Sequence, residues 1–267
     1  MGPSIRATAR EHGISRYAAK KLLNTLPSGY KTWMLFFDLH GEYADPAMLN
    51  LFEDVQQDLQ PDYTVAGGDW ASCDWASTFG NDSEASAEEE ADMVSGWLDR
   101  FRVSHYIMGN HEARVTREGS KLPKALRSSL SIPKLCGLDE RGIEWYPYDS
   151  SEDAKLLEIG KLTVIHGFNY NKYCAATHAE NYGCVMHGHA HRCQTFSSKG
   201  GGKKFTGISV GCGCPTTMPF ERGLPPRGHM QAFAIVWEHP NSHFDFHVVR
   251  VVGPEVIVNG KLYKVRR

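Results

Sequence analysis

Five short apolar runs in this 267-residue chain stop in the same way, each at a small cluster of Asp, His, Asn and Gly. The clusters are Asp38-Leu39-His40, Gly68-Asp69, Gly109-Asn110-His111-Glu112, His166-Gly167 and Gly188-His189-Ala190-His191. A short apolar run bounded by turn residues reads as a buried strand. In α/β sheets, ligands gather at the carboxyl ends of strands. The pattern therefore predicts an α/β fold whose loops bring two Asp, one Asn and several His to one place.

Strand and helix signals alternate through the first half. Trp33–Phe37, Tyr63–Ala66 and Val103–Met108 read as strands, while Pro46–Leu59 and Ala87–Phe101 carry apolar residues at helical spacing. Leu156–Ile159 and Leu162–Ile165 flank Gly160-Lys161 as a hairpin. Tyr173–Tyr182 reads as a helix, and Val185–His187, Ala232–Trp237, Phe244–Val252 and Glu255–Tyr263 as strands, with a turn at Asn259-Gly260. Ser72–Asp82 and Ser197–Lys204 read as loops. This order predicts one layered α/β domain over 30–267. Residues 1–29 read as a helical arm in which Ala9, Gly13, Ser15, Ala19 and Leu22 have helix-turn-helix spacing. Such an arm either docks on the body or reads DNA through Arg16, Lys20 and Lys21.

Composition narrows the class. With 41% hydrophobic and 22% charged residues the chain is neither disordered nor fibrous. No apolar window is long enough to span a membrane, and the N-terminus lacks the apolar core of a signal peptide, so a cytoplasmic protein is expected. Seven irregularly spaced cysteines do not make a disulfide framework. The net charge of −2 hides segregation: Thr32–Asp99 has no Lys or Arg, while Arg100–Gly137 is basic, as is Arg192–Arg227. These stretches are either solvated faces or a positive rim that gathers an anionic substrate such as DNA.

Imidazole and carboxylate together suit Zn, Fe, Mn or Ni better than Ca or Mg alone, and clusters without cysteine are unlike structural zinc sites. In extended backbone, residues i and i+2 face the same way, so Asp38 with His40, and His189 with His191, can each aim two donors at one point. The donors exceed the needs of one ion. A pair of ions is the economical reading, with a carboxylate such as Asp69 able to span both.

Taken in order, D-x-H, G-D, G-N-H-E, H and G-H-x-H resemble the motifs of the calcineurin-like metallophosphoesterases, and the resemblance runs from about Trp33 to Trp237. It implies a four-layered αββα sandwich with a dinuclear site at the edge between the sheets. It implies that Asp38, His40 and His191 hold one divalent ion and Asn110, His166 and His189 the other, with Asp69 bridging. Manganese is the expected ion, with iron, zinc, nickel or magnesium as alternatives. The implied reaction is attack on phosphorus by a hydroxide bridging the ions, with His111 protonating the leaving oxygen and Asp74 a candidate to orient it. Arg114, Arg192 and His229 are candidate substrate contacts. His187 reads as a core or supporting residue, His105 as structural and His178 as a helical residue outside the ligand set. Cys212-Gly213-Cys214 reads as glycine-lined backbone with incidental thiols.

Gly68–Asp74 lacks the acidic and arginine partners of the protein serine/threonine phosphatases, which makes that activity unexpected. Gly109–Arg114 and Gly211–Cys214 are loosely similar to small phosphoesterases of bacteriophages and bacteria grouped with SbcD-like DNA exonucleases. The reading is a metal-dependent phosphodiesterase, a nuclease if the basic stretches gather DNA. The alternatives are a phosphomonoesterase acting on nucleotides or other small phosphates, and a DNA-binding regulator carrying an inactive phosphoesterase domain. The sequence carries no signal for an oligomeric state.

Overall fold

The computed structural model describes residues 10, 29–77, 85–124, 130–199, 204–218 and 228–267. The helical-arm reading of 1–29 falls almost wholly outside them. In chain order the elements are β1 (Lys31–Phe36), α1 (Pro46–Leu59), β2 (Tyr63–Ala66), α2 (Ala87–Arg100), β3 (His105–Ile107), α3 (Asn110–Gly119), α4 (Ile132–Leu135) and β4 (Glu144–Tyr146). Then follow β5 (Leu157–Ile159), β6 (Leu162–Ile165), α5 (Cys174–Tyr182), β7 (Val185–His187), β8 (Gln194–Ser197), β9 (Thr206–Ser209), β10 (Gln231–Glu238), β11 (Phe244–Val251), β12 (Glu255–Val258) and β13 (Lys261–Lys264).

Local chemistry sets the helix ends. Asp45 caps α1 by accepting from the Ala47 amide, with Pro46 in its first turn, and the helix stops at left-handed Gln60 before Pro61. Ser86 and Glu89 form a capping box at the start of α2. The turn expected at Asn259-Gly260 makes Glu255–Lys264 a hairpin, and both turn residues have positive φ, 49° and 75°, as a tight primed turn requires.

One sheet has the order β11-β10-β1-β2-β3-β4 and the other β5-β6-β7-β9-β8. Strands β1 to β4 run parallel to one another, as do β6, β7 and β9, whereas β10, β5 and β8 join β1, β6 and β9 antiparallel. Side chains alternate across β1. Met34 and Phe36 pack with Met48, Phe52 and Val55 of α1 and with Val94 and Leu98 of α2. Trp33, Leu35 and Phe37 instead meet Val164, Met186 and Ile208 of the second sheet. Behind that sheet, Ala179 of α5 covers Ile165 and Val185. The chain is thus a four-layered αββα sandwich, as the motif resemblance implied. The terminal hairpin closes over α1, where the Tyr263 hydroxyl donates to Asp58 at 2.8 Å. No helix among the described residues is long and apolar enough to cross a membrane.

Within the charged stretch Arg100–Gly137, Arg114 stands beside His111, while Arg100, Lys121 and Lys134 have acidic partners. Arg100 ends α2, at the opposite end of the sheet from the β2 and β3 carboxyl termini, and is bound to Glu53 and Asn50 of α1. Lys121 pairs with Glu118, and Lys134 with Glu140. Arg127, Lys203, Arg222 and Arg227 lie outside the described residues.

Candidate metal centre

Parallel strands that end together place their carboxyl-terminal loops side by side, and here those loops are joined by backbone bonds. The amides of Asp38, His40 and Gly41 donate to the carbonyls of Gly68, Asp69 and Trp70. The amide of His189 donates to Asp38 Oδ2 at 3.0 Å, joining the second sheet to the first. Close approach explains two glycines: a Cβ on Gly109 would collide with the Asp69 carboxylate, and one on Gly188 would reach 2.5 Å from Asp38 Oδ2.

Asp38, His40, Asp69, His189 and His191 all have left-handed backbone, with φ between 51° and 63°. Residues other than glycine adopt this region rarely and at a cost. Five such residues at three loop ends mark a site at which side-chain direction outweighs backbone comfort.

The side chains converge. His40 Nε2 and His191 Nε2 lie 3.0 Å apart, and Asp38 Oδ1 is 3.3 Å from the latter and 4.0 Å from the former. On the other side His166 Nε2 lies 3.1 Å from Asp69 Oδ2 and 3.3 Å from Asn110 Oδ1, and His189 joins Asp69 and His166 with all three donor atoms within 4.8 Å of one another. Asp69 also belongs to a group with His40 and His111, and so stands between the two sets. All seven residues singled out as ligands in the sequence are brought together.

The donor set fits divalent cations. Asp38 and Asp69 are buried, at 0% and 1% exposure, and among the described residues neither pairs with Lys or Arg. Buried carboxylates demand a counter-charge. Burial opposes charge on His166, yet the carboxylates of Asp69 and Asp38 push its pKa up to about 9. Burial likewise opposes charge on His191, and Asp38 raises it well above the ordinary imidazole value. The carboxylates thus favour positive charge on His166 and His191, whereas burial and the neighbouring imidazoles hold His40 and His189 below the ordinary imidazole value.

His111 occupies the rim. Its Nδ1 lies 2.7 Å from the Ser72 carbonyl, its amide donates to Asp69 Oδ1 at 2.9 Å, and its Nε2 is 3.8 Å from Asp69 Oδ2. Orientation by Asp74 is therefore indirect. Arg114 binds Asp74 Oδ1 at 3.1 Å and the Ser72 carbonyl at 3.2 Å, and its other terminal nitrogen sits 3.2 Å from His111 Nε2. His229 comes beside the ligands, with its ring 5.0 Å from that of His191. Arg192 acts electrostatically on the Cys174 thiol of α5, and its Nε is buried without a hydrogen bond among the described residues.

Residues not given a role in the sequence complete the site. Glu112, fully buried, accepts from the amides of Asp69, Trp70, Ala71 and Gly109 and from the Tyr106 hydroxyl at 2.8–3.2 Å. It ties the loop after β2 to the first turn of α3. Glu at the third position of a helix whose cap lacks a side chain was the available signal. Glu90 does the same for the amides of Ser72 and Cys73 and for the Trp75 indole. Cys214 is no bystander: its Sγ is 3.9 Å from His191 Nδ1 and groups with His40 and His191. His178 is excluded from the ligands, since its Nδ1 meets the Cys174 carbonyl and its Nε2 accepts from the Phe168 amide. His187 is buried against His178, ring centroids 4.0 Å apart. His105 packs against the stacked rings of Trp33 and Tyr63.

Among solved structures, the chain is similar to vacuolar protein sorting 29 from Cryptosporidium parvum, at 13% identity over 88% of this chain and 96% of that one, TM-score 0.47. It is similar to a predicted phosphoesterase from Streptococcus pneumoniae TIGR4, at 15% identity over 89% and 99%, TM-score 0.35. The phosphoesterase Yfce from E. coli matches at 13% identity over 88% and 100%, TM-score 0.36. These likenesses are too loose to bear on individual residues. No curated protein matches the chain. The family model described as calcineurin-like phosphoesterase matches residues 38–200, beginning at Asp38 and enclosing the other six residues of the ligand set.

Proposed function

Because the chain belongs to the calcineurin-like phosphoesterase family, we propose that it is a metal-dependent phosphodiesterase whose centre is the cluster around Asp38 and Asp69. The observation that carries this reading is the burial of both carboxylates among four histidines and Asn110, with no lysine or arginine paired to either among the described residues. Asp38, His40 and His191 would hold one divalent ion and Asn110, His166 and His189 a second, with Asp69 between them. Divalent ions bound there supply positive charge to the phosphoryl oxygens and lower the pKa of a coordinated water.

The chain's own groups do the rest. His111 Nε2 faces the space beside Asp69, where the ring, as the imidazolium protonated at both nitrogens, would give its Nε2 proton to a leaving oxygen and be left neutral with its proton on Nδ1. Ser72 holds the imidazole through Nδ1, and Arg114 stands against its Nε2 until a substrate displaces it. Glu112 keeps the Asp69 loop against α3, so that the carboxylate does not swing with the charge that gathers next to it. A diester is favoured over a monoester because Arg114, the arginine hydrogen-bonded to His111, is already paired with Asp74. A doubly charged monoester asks for more free positive charge than that. Small or nucleotidyl diesters fit better than long DNA, since Arg100, Lys121 and Lys134 are bound to acidic partners.

The test is hydrolysis by the Mn-loaded full chain of bis-p-nitrophenyl phosphate, p-nitrophenyl phosphate, and single- and double-stranded DNA, each with and without chelator. We expect the diester to be cleaved fastest and chelator to stop it. A clean preference for p-nitrophenyl phosphate would favour the phosphomonoesterase, and no turnover of any substrate with metal bound would overturn the enzyme reading.

A further inference from the structure

The loop that follows His166 carries two tyrosines in unusual positions. Tyr170 and Tyr173 are 67% and 62% exposed. Among the described residues the other large apolar side chains exposed to this degree, Val252, Ile257 and Leu262, lie on or beside the terminal hairpin. The Tyr170 ring stands 6.0 Å from that of His189 at an interplanar angle of 72°, directly beside the candidate metal centre. Lys172 lies between the tyrosines in sequence and sets its Nζ 4.7 Å from the Tyr173 ring centroid.

The loop is held in this shape from below. The Tyr148 hydroxyl donates to the Gly167 carbonyl at 3.1 Å, and the Phe168 amide donates to His178 Nε2 at 2.9 Å. Asn171 Oδ1 accepts from the Tyr173 amide, and Gln194 Nε2 donates to the Lys172 carbonyl at 3.1 Å. Its bonded backbone displays the rings outward, next to the place where a phosphate would be activated. A tyrosine ring is a rigid apolar face with few rotatable bonds, suited to planar ligands, and every nucleobase has a face that stacks on it.

We propose that Tyr170 is the stacking platform for the base of a nucleotidyl phosphodiester whose phosphate lies at the candidate metal centre, with the Lys172–Tyr173 pair extending that surface outward. The inference rests on the phosphodiesterase reading and names its substrate class: a nucleoside, one sugar away from the cleaved bond, instead of a plain alkyl or lipid headgroup diester. Lys172 adds a cation for a neighbouring phosphate.

Two esters with the same leaving group test it: thymidine 5′-monophosphate p-nitrophenyl ester and methyl p-nitrophenyl phosphate, each given to the Mn-loaded full chain. Stacking of one base predicts a kcat/KM ratio of about tenfold in favour of the thymidine ester. Tyr170→Leu should bring that ratio close to one, and Tyr170→Phe should keep it. A calorimetric titration with thymidine 5′-monophosphate and with methyl phosphate supplies a readout independent of turnover, expected to show the same Tyr170-dependent preference. A wild-type ratio near one, or a ratio that survives in Tyr170→Leu, overturns the proposal. If neither ester is cleaved while the nucleotide binds preferentially through Tyr170, the platform stands and the phosphodiesterase reading falls. If both esters are cleaved alike and both ligands bind alike, the platform falls and the reading stands.

Discussion

His111 Nδ1 lies 2.7 Å from the carbonyl oxygen of Ser72. A carbonyl only accepts, so the ring carries a proton on Nδ1 and turns Nε2 toward Asp69. The imidazole is therefore oriented by a neighbouring loop, while the His111 amide is held by Asp69 Oδ1. We expect His111→Ala to keep its full metal content, because the seven ligands stay in place. Its rate should fall by about 10²–10⁴-fold on alkyl or sugar esters and much less on p-nitrophenyl esters, whose leaving group needs little protonation. Metal analysis alongside kcat for the two substrate classes checks this, and equal losses on both would remove the general-acid role.

Asp69 stands between the two sets of donors, 3.1 Å from His166 and grouped separately with His40 and His111. Asp69→Asn should abolish turnover and lower the bound metal, and His189→Ala should do the same through one set. Two metals per chain together with wild-type rate in Asp69→Asn would remove the bridging assignment.

Chelation should act on stability as well as on rate. Without cations, the buried Asp38 and Asp69 carboxylates keep one backbone amide donor each, from His189 and His111, and no Lys or Arg among the described residues. Binding to the folded state stabilises it by about 2.7 kcal/mol at a free ion concentration a hundred times Kd. Thermal unfolding with added Mn should therefore show a Tm that climbs with metal concentration and falls with chelator. A Tm indifferent to both would argue that the cluster holds no ion.

Five donors converge on the buried Glu112 carboxylate, which burial and the charge of Asp69 push up to about 7. Glu112→Gln replaces one acceptor oxygen with a group that can only donate, facing at least two N–H or O–H groups. The expected loss is about 1–3 kcal/mol of stability, with metal affinity weakened about 10- to 100-fold, as for other groups that orient ligands indirectly. Urea titration and metal-binding isotherms measure the two effects separately.

Every residue assigned to the centre lies between Asp38 and His229, beyond the helical-arm segment. Deletion of residues 1–26 should accordingly leave hydrolysis of chromogenic diesters within about twofold of the full chain, the range usual for changes far from a site. If the same deletion weakens DNA binding and flattens its salt dependence, the arm contacts phosphates.

The ligand set was legible because two independent facts coincide. Apolar runs announce the strands, and parallel pairing gathers Asp38, Asp69 and Asn110 at the edge of one sheet and His166 and His189 at the edge of the other, while the meeting of the two sets was what the motif resemblance implied. Partners distant in sequence were not legible. Arg100 sits in a basic stretch, yet its partner Glu53 is 47 residues earlier, and no count of local charge anticipates that neutralisation. The role of Glu112 depends on three successive amides of another loop facing it. Strand β4 has three residues, too few for a period to show, and β8 and β9 flank a glycine- and lysine-rich segment whose composition reads as loop. Asp74 follows Asp69 in the same loop, but nothing local in the sequence shows that Arg114 stands between it and His111.

The left-handed backbone of Asp38, His40, Asp69, His189 and His191 carries an implication for how this chain tolerates change. Each of the five would be more comfortable as glycine, by on the order of 1 kcal/mol. A library of variants sorted only for thermal resistance without metal would thus enrich glycine at the very positions that hold the ions. The same sorting carried out with metal present would reverse the preference, because the lost coordination outweighs the relieved backbone. Robustness and activity are antagonists at these five residues, and the ion decides which of them prevails.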